Sequence, residues 1–185
     1  MAFAEKTTNY TIEDIYALPD GQRAELLDGQ IYMMAAPSRQ HQEVLGILYR
    51  KIADYIDGKN GICKVYPAPF AVFLNTDNIN YVEPDISVIC DKDKLTDKGC
   101  NGAPDWVIEI VSPSSRYMDY LLKLLKYKSF GMREYWIVDY PKNRIMVYNF
   151  EKGSMEEYTF IDTIKVGIYE DLEIDFSIIE ENVRV

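Results

Sequence analysis

The sequence predicts a single α/β domain with a mixed β-sheet, and three features carry that prediction. Helical apolar spacing alternates with strand-like runs along the chain, the order that layers helices against a sheet. Asp28-Gly29 lies between two apolar runs, the strongest short hairpin signal. Val107, Ile108, Ile110 and Val111 are apolar on both parities of one run, as in a strand covered on both faces. At 185 residues the chain is long enough for one core and short for two. The expected domain is therefore 1–185, its core spanning about 10–150, with strands and an acidic tail over 151–185.

Taken in order, Tyr10 to Leu18 reads as a short helix with Thr11 as N-cap and Glu13 and Asp14 in the first turn, ended by Pro19-Asp-Gly21. Arg23 to Leu27 and Gln30 to Ala35 form the hairpin, with Glu25 on its first strand. Pro37-Ser38 opens a helix whose positions Val44, Leu45, Leu48, Ile52 and Ile56 keep helical spacing up to Gly58, and His41 falls on their side. Pro67 and Pro69 within Ile62 to Leu74 mark an edge strand or bulge. Strands follow at Tyr81 to Cys90 and Asp105 to Val111, and Ser112-Pro-Ser-Ser115 caps a helix reaching about Phe130, stopped by Gly131. Glu134 to Tyr140 and Arg144 to Phe150 read as a second hairpin. Met155 to Phe160 and Ile164 to Glu170 read as a further strand pair, and the remainder as a less regular acidic tail facing solvent or a partner.

Composition narrows the function. With 48% apolar and 27% charged residues the chain has the balance of a soluble globular protein, and no apolar run reaches membrane length. The first ten residues lack a charged-then-apolar signal layout, which makes the cytoplasm the default location. Cys63, Cys90 and Cys100 are odd in number and widely spaced, so they read as reduced, mostly buried thiols. A net charge of −10 argues against indiscriminate polyanion binding. Between Arg116 and Arg144, however, seven bases face three acids, a local basic patch on an acidic body.

The chemistry-bearing residues are carboxylates in apolar surroundings. Asp85 follows Pro84 at a strand, and Glu109 sits inside the doubly apolar run, where an unpaired charge is costly. With Glu25 they make an oxygen-rich set of the kind Mg²⁺ takes, one or two carboxylates plus water and substrate oxygens. Such a site hydrolyses phosphodiesters by activating water and polarising the phosphoryl group, with a lysine offsetting charge on phosphate. The plainer readings are a strand-end cap for Asp85, a surface strand residue for Glu25, an ion pair with lysine for Glu109 and a semi-core histidine for His41. Asp119 and Lys123 have the spacing of a solvated helix pair worth about 0.2–0.5 kcal/mol. Asp119, Lys123 and Tyr127 also form one stripe, bordering an apolar face of Tyr117, Leu121, Leu124 and Leu125.

Ala24-Glu-Leu-Leu-Asp-Gly29, Pro37-Ser-Arg-Gln-His41, Val82-Glu-Pro-Asp85, Val107-Ile-Glu-Ile-Val-Ser-Pro113, Asp119 with Lys123 and Tyr127, and Gly131-Met-Arg-Glu-Tyr-Trp-Ile-Val-Asp139 follow in order. Together they resemble the Uma family of proposed endonucleases, a branch of the PD-(D/E)XK, or restriction-endonuclease-like, superfamily. The resemblance covers about Tyr10 to Phe150. It implies a restriction-endonuclease-like mixed sheet flanked by helices, with additional antiparallel hairpins. It also implies a Mg²⁺-dependent DNA endonuclease, Mn²⁺ substituting, in which Asp85, Glu109 and Glu25 hold metal and His41 and Asp119 are accessory. The superfamily's acid-x-lysine motif would place lysine at Val111, so the resemblance carries the lysine role to Lys123. A nuclease fold retained only for binding nucleic acid or protein is the alternative, and Glu109 and Lys123 as a buried structural ion pair is a third. Pairing of two chains through the strand from Glu134 to Phe150 is the base-rate expectation for an oligomer.

Overall fold

The computed structural model describes residues 9–183. The expectation about a signal layout rests mainly on residues 1–8, outside the described residues. Helix α1 (Ile12–Tyr16) begins where Thr11 donates its backbone N–H to Asp14 Oδ2 at 2.8 Å. Strands β1 (Ala24–Leu27) and β2 (Gln30–Met33) form the expected hairpin. Asp28 and Gly29 both take positive φ (51° and 72°), as a two-residue primed turn requires. Helix α2 (Arg39–Gly58) is capped by Ser38 Oγ, which accepts from the His41 backbone N–H at 3.2 Å.

The proline-rich run splits into β3 (Lys64–Pro67), an edge strand as anticipated, and β4 (Val72–Phe73). The single strand expected over Tyr81 to Cys90 is also two, β5 (Tyr81–Val82) and β6 (Ile86–Ile89), and they lie in different sheets. Pro84 has no N–H for a ladder, so the chain leaves one sheet and enters the other across Glu83-Pro84-Asp85. Next come β7 (Leu95–Thr96), β8 (Gly99–Asn101) and β9 (Trp106–Ile110). A π-helical segment, Met118–Lys123, continues directly into α3 (Leu124–Ser129). The chain ends with β10 (Glu134–Asp139), β11 (Arg144–Asn149), β12 (Ser154–Tyr158), β13 (Thr163–Lys165), β14 (Glu173–Asp175) and α4 (Ser177–Val183).

The main sheet runs β12-β11-β10-β9-β6-β3 and is mixed: β9 and β10 are parallel and its other pairs antiparallel. A second sheet runs β2-β1-β5-β4-β8-β7, and β13 pairs with β14. The main sheet is covered on both faces. On one lie Val44, Leu48 and Ile52 of α2 against Trp106, Ile108, Trp136 and Val138. On the other, Val107, Val111, Tyr135 and Ile137 pack with Tyr127 of α3 and with Val72 and Val82 of the second sheet. Every residue of β9 is therefore buried, as its two-parity pattern anticipated.

Three sequence expectations need correction. Cys63 and Cys90 form a disulfide (S–S 2.08 Å), while Cys100 is free and buried. The β3–β6 register, with Lys64 opposite Ile89, places the flanking cysteines opposite each other across 27 residues, a pairing that spacing alone does not expose. The strand at 155–160 pairs with β11, and the one at 164–170 with β14, so the two do not pair together. Residues beyond 160 are not a solvent-facing tail: Ile164, Val166, Leu172, Ile174, Phe176 and Ile179 belong to the core under α2. Their acids alternate with these apolar positions, so a count of charge hides an amphipathic pattern.

Gly99 lies against the backbone of Ala71, just ahead of β4. Its φ is +139°, and a Cβ there would lie 2.2 Å from the Ala71 carbonyl oxygen, which accepts the Cys100 N–H. Gly99→Ala forces β4 and β8 apart. We expect a stability loss of at least about 1–3 kcal/mol, measured by chemical denaturation.

Candidate functional site

The two sheets meet where β1, the β5–β6 crossover, β9 and the π-helical segment converge, at a cleft of about 640 Å³. Each acid arrives on a different element. Glu25 lies on β1, between β2 and β5, and its side chain is nearly fully buried. Its Oε1 accepts the Glu83 backbone N–H at 3.0 Å and its Oε2 lies 2.8 Å from Lys123 Nζ. Asp85 stands at the entry to β6, where its carbonyl accepts the Ala68 N–H at 2.9 Å and its Oδ2 the Ile110 N–H at 2.7 Å. It thereby ties β6 to the end of β9. Asp85 Oδ1 accepts no hydrogen bond among the described residues, and Asp85 lines the cleft.

Glu109 sits on β9 with odd parity, so it points to the α3 side while Ile108 and Ile110 point to α2. Its Oε1 accepts from Lys123 Nζ at 2.9 Å and from the Tyr127 hydroxyl at 2.8 Å. Its Oε2 lies 3.4 Å from the Asp85 backbone N–H, so the two acids are neighbours. Val111, two residues on, takes the same face but ends in the apolar core with its N–H bound to Val138. The ammonium comes from the helix opposite instead.

That helix inverts the expected wheel. Asp119, Lys123 and Tyr127 are buried, while Tyr117, Leu121 and Leu125 are exposed. The Asp119–Lys123 pair is therefore not solvated: Asp119 Oδ1 is 3.8 Å from Lys123 Nζ and buried with no hydrogen-bond partner among the described residues. A π-turn widens the helix at this point, a device concentrated at functional sites. It was invisible to a 3.6-residue wheel. His41, in the first turn of α2, places Nε2 3.2 Å from Asp85 Oδ2 and completes the convergence.

Electrostatically the site is short of cations. Glu25, Glu109 and Asp119 surround one lysine, and Asp85 adds a further acid beside Glu109. Burial, reinforced by neighbouring acids and only partly offset by Lys123, pushes Glu109 well above the usual carboxylate range. Asp119 is pushed up to about 6 by burial, with Lys123 and Ser115 opposing and the charges of Glu25 and Asp85 reinforcing. For Lys123, burial works against the charged form, but Glu109, Glu25 and Asp119 outweigh it and hold the ammonium protonated. For His41 burial likewise opposes charge, and the hydrogen bond and charge of Asp85, with the Ile110 carbonyl, raise it above its ordinary value.

No three His, Cys, Asp or Glu side chains among the described residues form a ready metal cage. Mg²⁺ does not need one, since it keeps several waters and takes one or two carboxylates. Asp85, which lines the cleft beside Glu109 and keeps Oδ1 clear of hydrogen bonds among the described residues, fits that mode. The residues predicted for the site, Glu25, His41, Asp85, Glu109, Asp119 and Lys123, all reach this region, whereas Val111 does not line the cleft. The sequence reading underrated Tyr127, which hydrogen-bonds Glu109, and gave Glu83 of the Glu-Pro-Asp motif no site role. The latter fixes Glu25 through its backbone and holds Arg23 by its carboxylate, the Nε contact being 2.8 Å. Its place beside Pro84-Asp85 was the available signal.

The basic run fares differently. Arg116 binds Asp139, Lys126 binds Asp28, Arg133 binds Asp105 and Glu151, and Arg144 binds Glu157. It is laced to acids of the same chain rather than held free as a phosphate-binding patch.

Comparison with known proteins bears on this geometry. The sequence model of a family described as "Uma2: Putative restriction endonuclease" matches residues 12–177. The uncharacterized protein slr1290 of Synechocystis sp. is 31% identical over 99 residues, 53% of this chain and 50% of the relative, so the match spans about half of that curated protein. A crystal structure described as "a putative nuclease belonging to DUF820" from Anabaena variabilis superposes with a TM-score of 0.75 at 19% identity, covering 94% of this chain and 98% of that one. This likeness establishes a shared fold. No helix among the described residues is long and apolar enough to cross a membrane.

Proposed function

The chain belongs to the Uma2 family, and from that premise we propose that it is a Mg²⁺-dependent endonuclease hydrolysing phosphodiester bonds of DNA, with Mn²⁺ as a substitute. One observation carries the reading: at the floor of a cleft three carboxylates, Glu25, Glu109 and Asp119, lie 2.8, 2.9 and 3.8 Å from a single ammonium, and a fourth acid, Asp85, stands beside Glu109. A structural ion pair needs one acid per lysine, and the surplus suits a divalent cation, which would supply the charge that protons otherwise supply. Asp85 and Glu109 would hold it, with Glu25 as the remaining acid of the set, and the ion would activate water and polarise the phosphoryl group.

The chain's own residues then have distinct tasks. Tyr127 and Lys123 fix Glu109 Oε1, which orients Oε2 toward Asp85. The Ile110 N–H fixes Asp85 Oδ2 and leaves Oδ1 for a ligand. Lys123 offsets negative charge on the scissile phosphate, the role that Val111 cannot fill. His41, beside Asp85, is placed to hold or accept a proton at Nε2.

Purified protein with Mg²⁺ or Mn²⁺ should cleave DNA offered in single-stranded and duplex form. Asp85→Asn and Glu109→Gln should each lower the rate more than about 100-fold, since even outer partners of metal ligands cost 10–100-fold. Undiminished cleavage in both variants would sink the assignment. Absent cleavage together with absent Mn²⁺ binding by calorimetry would support the alternative, a binding protein that keeps the nuclease fold.

A further inference from the structure

The cleft's lining says which form of nucleic acid it takes, an inference that rests on the nuclease reading above. Duplex affinity is chiefly phosphate neutralisation by free Lys and Arg. Here the two basic residues of the lining are already committed, Arg23 to Glu83 and Lys123 to Glu25 and Glu109. The basic run on the neighbouring helix and hairpin is likewise paired, leaving Lys128 and Lys142 as its members without an ion pair among the described residues. A duplex would find few cations to meet its two backbones.

The cleft offers apolar and aromatic surface instead. Tyr32 and Met33 line it, and Met33 is 56% exposed. Tyr117 is 64% exposed and lies in the segment between Ser115 and Met118, both of which line the cleft. Elsewhere on the rim the Ser38 and Tyr140 hydroxyls, 3.2 Å apart, bridge the start of α2 to the turn after β10. Unstacked bases present π-faces that a duplex buries, and aromatic side chains beside a backbone track are how single strands are held.

We infer that the cleft binds a single strand rather than a duplex, one phosphate reaching Asp85 and Glu109 while adjacent bases stack on Tyr32 and Tyr117. Fluorescence anisotropy with a labelled short oligonucleotide, alone and annealed to its complement, tests this in the full chain with Ca²⁺ present. The single strand should bind at least about tenfold more tightly, and Tyr32→Ala with Tyr117→Ala should weaken it by about tenfold. Tyr16→Ala, an exposed tyrosine off the cleft, should not. Equal or tighter duplex binding, no binding of either form, or full single-strand affinity without the two tyrosines would overturn the inference. Hydrolysis of bis-p-nitrophenyl phosphate with Mn²⁺ separates the two ideas. If it fails while strand preference holds, the nuclease reading falls and the binding inference stands.

Discussion

Lys123→Met is expected to destabilise the protein by about 3–5 kcal/mol, the cost of removing one partner from a buried ionic contact. The variant keeps the aliphatic volume and leaves Glu25, Glu109 and Asp119 facing one another without a counter-charge. The cost is asymmetric. Glu109→Gln or Asp119→Asn removes one acid from a surplus, so each should leave the metal-free protein as stable as the parent or more so. Urea denaturation of the three variants reads this directly. A large loss on Glu109→Gln would mean that Glu109 and Lys123 are simply a structural pair.

The same surplus sets a pH dependence. Asp119 is raised from 3.8 to about 6 in the folded state, so folding binds a proton between those values. Its contribution to stability is full below 3.8 and is lost as pH rises through about 6. Glu109 is shifted the same way. Thermal melting of metal-free protein should show this contribution as a rise in melting temperature on acidification from neutral pH to about 5, and Mg²⁺ should shrink the difference by supplying the charge that protons otherwise supply.

Phe176→Ala is expected to cost about 3–5 kcal/mol, the range for a fully buried phenylalanine. Phe176 is completely buried, 5.4 Å from the ring of Phe160 and 6.1 Å from that of Trp136. Glu134 anchors the neighbouring segment by accepting the Gly167 and Ile168 N–H groups at 3.0 and 2.8 Å. A chain ended at Asp162 loses Ile164, Val166, Leu172, Ile174 and Ile179 as well, each worth about 1.5–3 kcal/mol. That total matches or exceeds the usual stability of a domain, so the truncated chain should show no cooperative melting transition by circular dichroism.

Local chemistry made much of this fold legible in the sequence. Asp28-Gly29 fixed a turn that needs two positive φ angles, Ser38 capped a helix, and the double parity of 107–111 announced a strand with no wet face. Glu109 stood out because it interrupts that apolar run. Long-range pairing was not legible. That Cys63 faces Cys90, that 81–90 serves two sheets, and that residues beyond 160 return to cover α2 depend on contacts with no local signature. The candidate site divides the same way. Asp85 and Glu109 were readable from their neighbours, whereas the burial of Glu25 and the pairing of the basic residues depend on partners distant in sequence.

The helix around Lys123 hides Asp119 and Lys123 and shows Leu121 and Leu125 to water. A redesign guided by hydrophobic pattern would therefore repair the wrong side, making Asp119 apolar and leaving Leu121 and Leu125 alone. The side chains open to change are the greasy ones, and a surface engineered for solubility begins there.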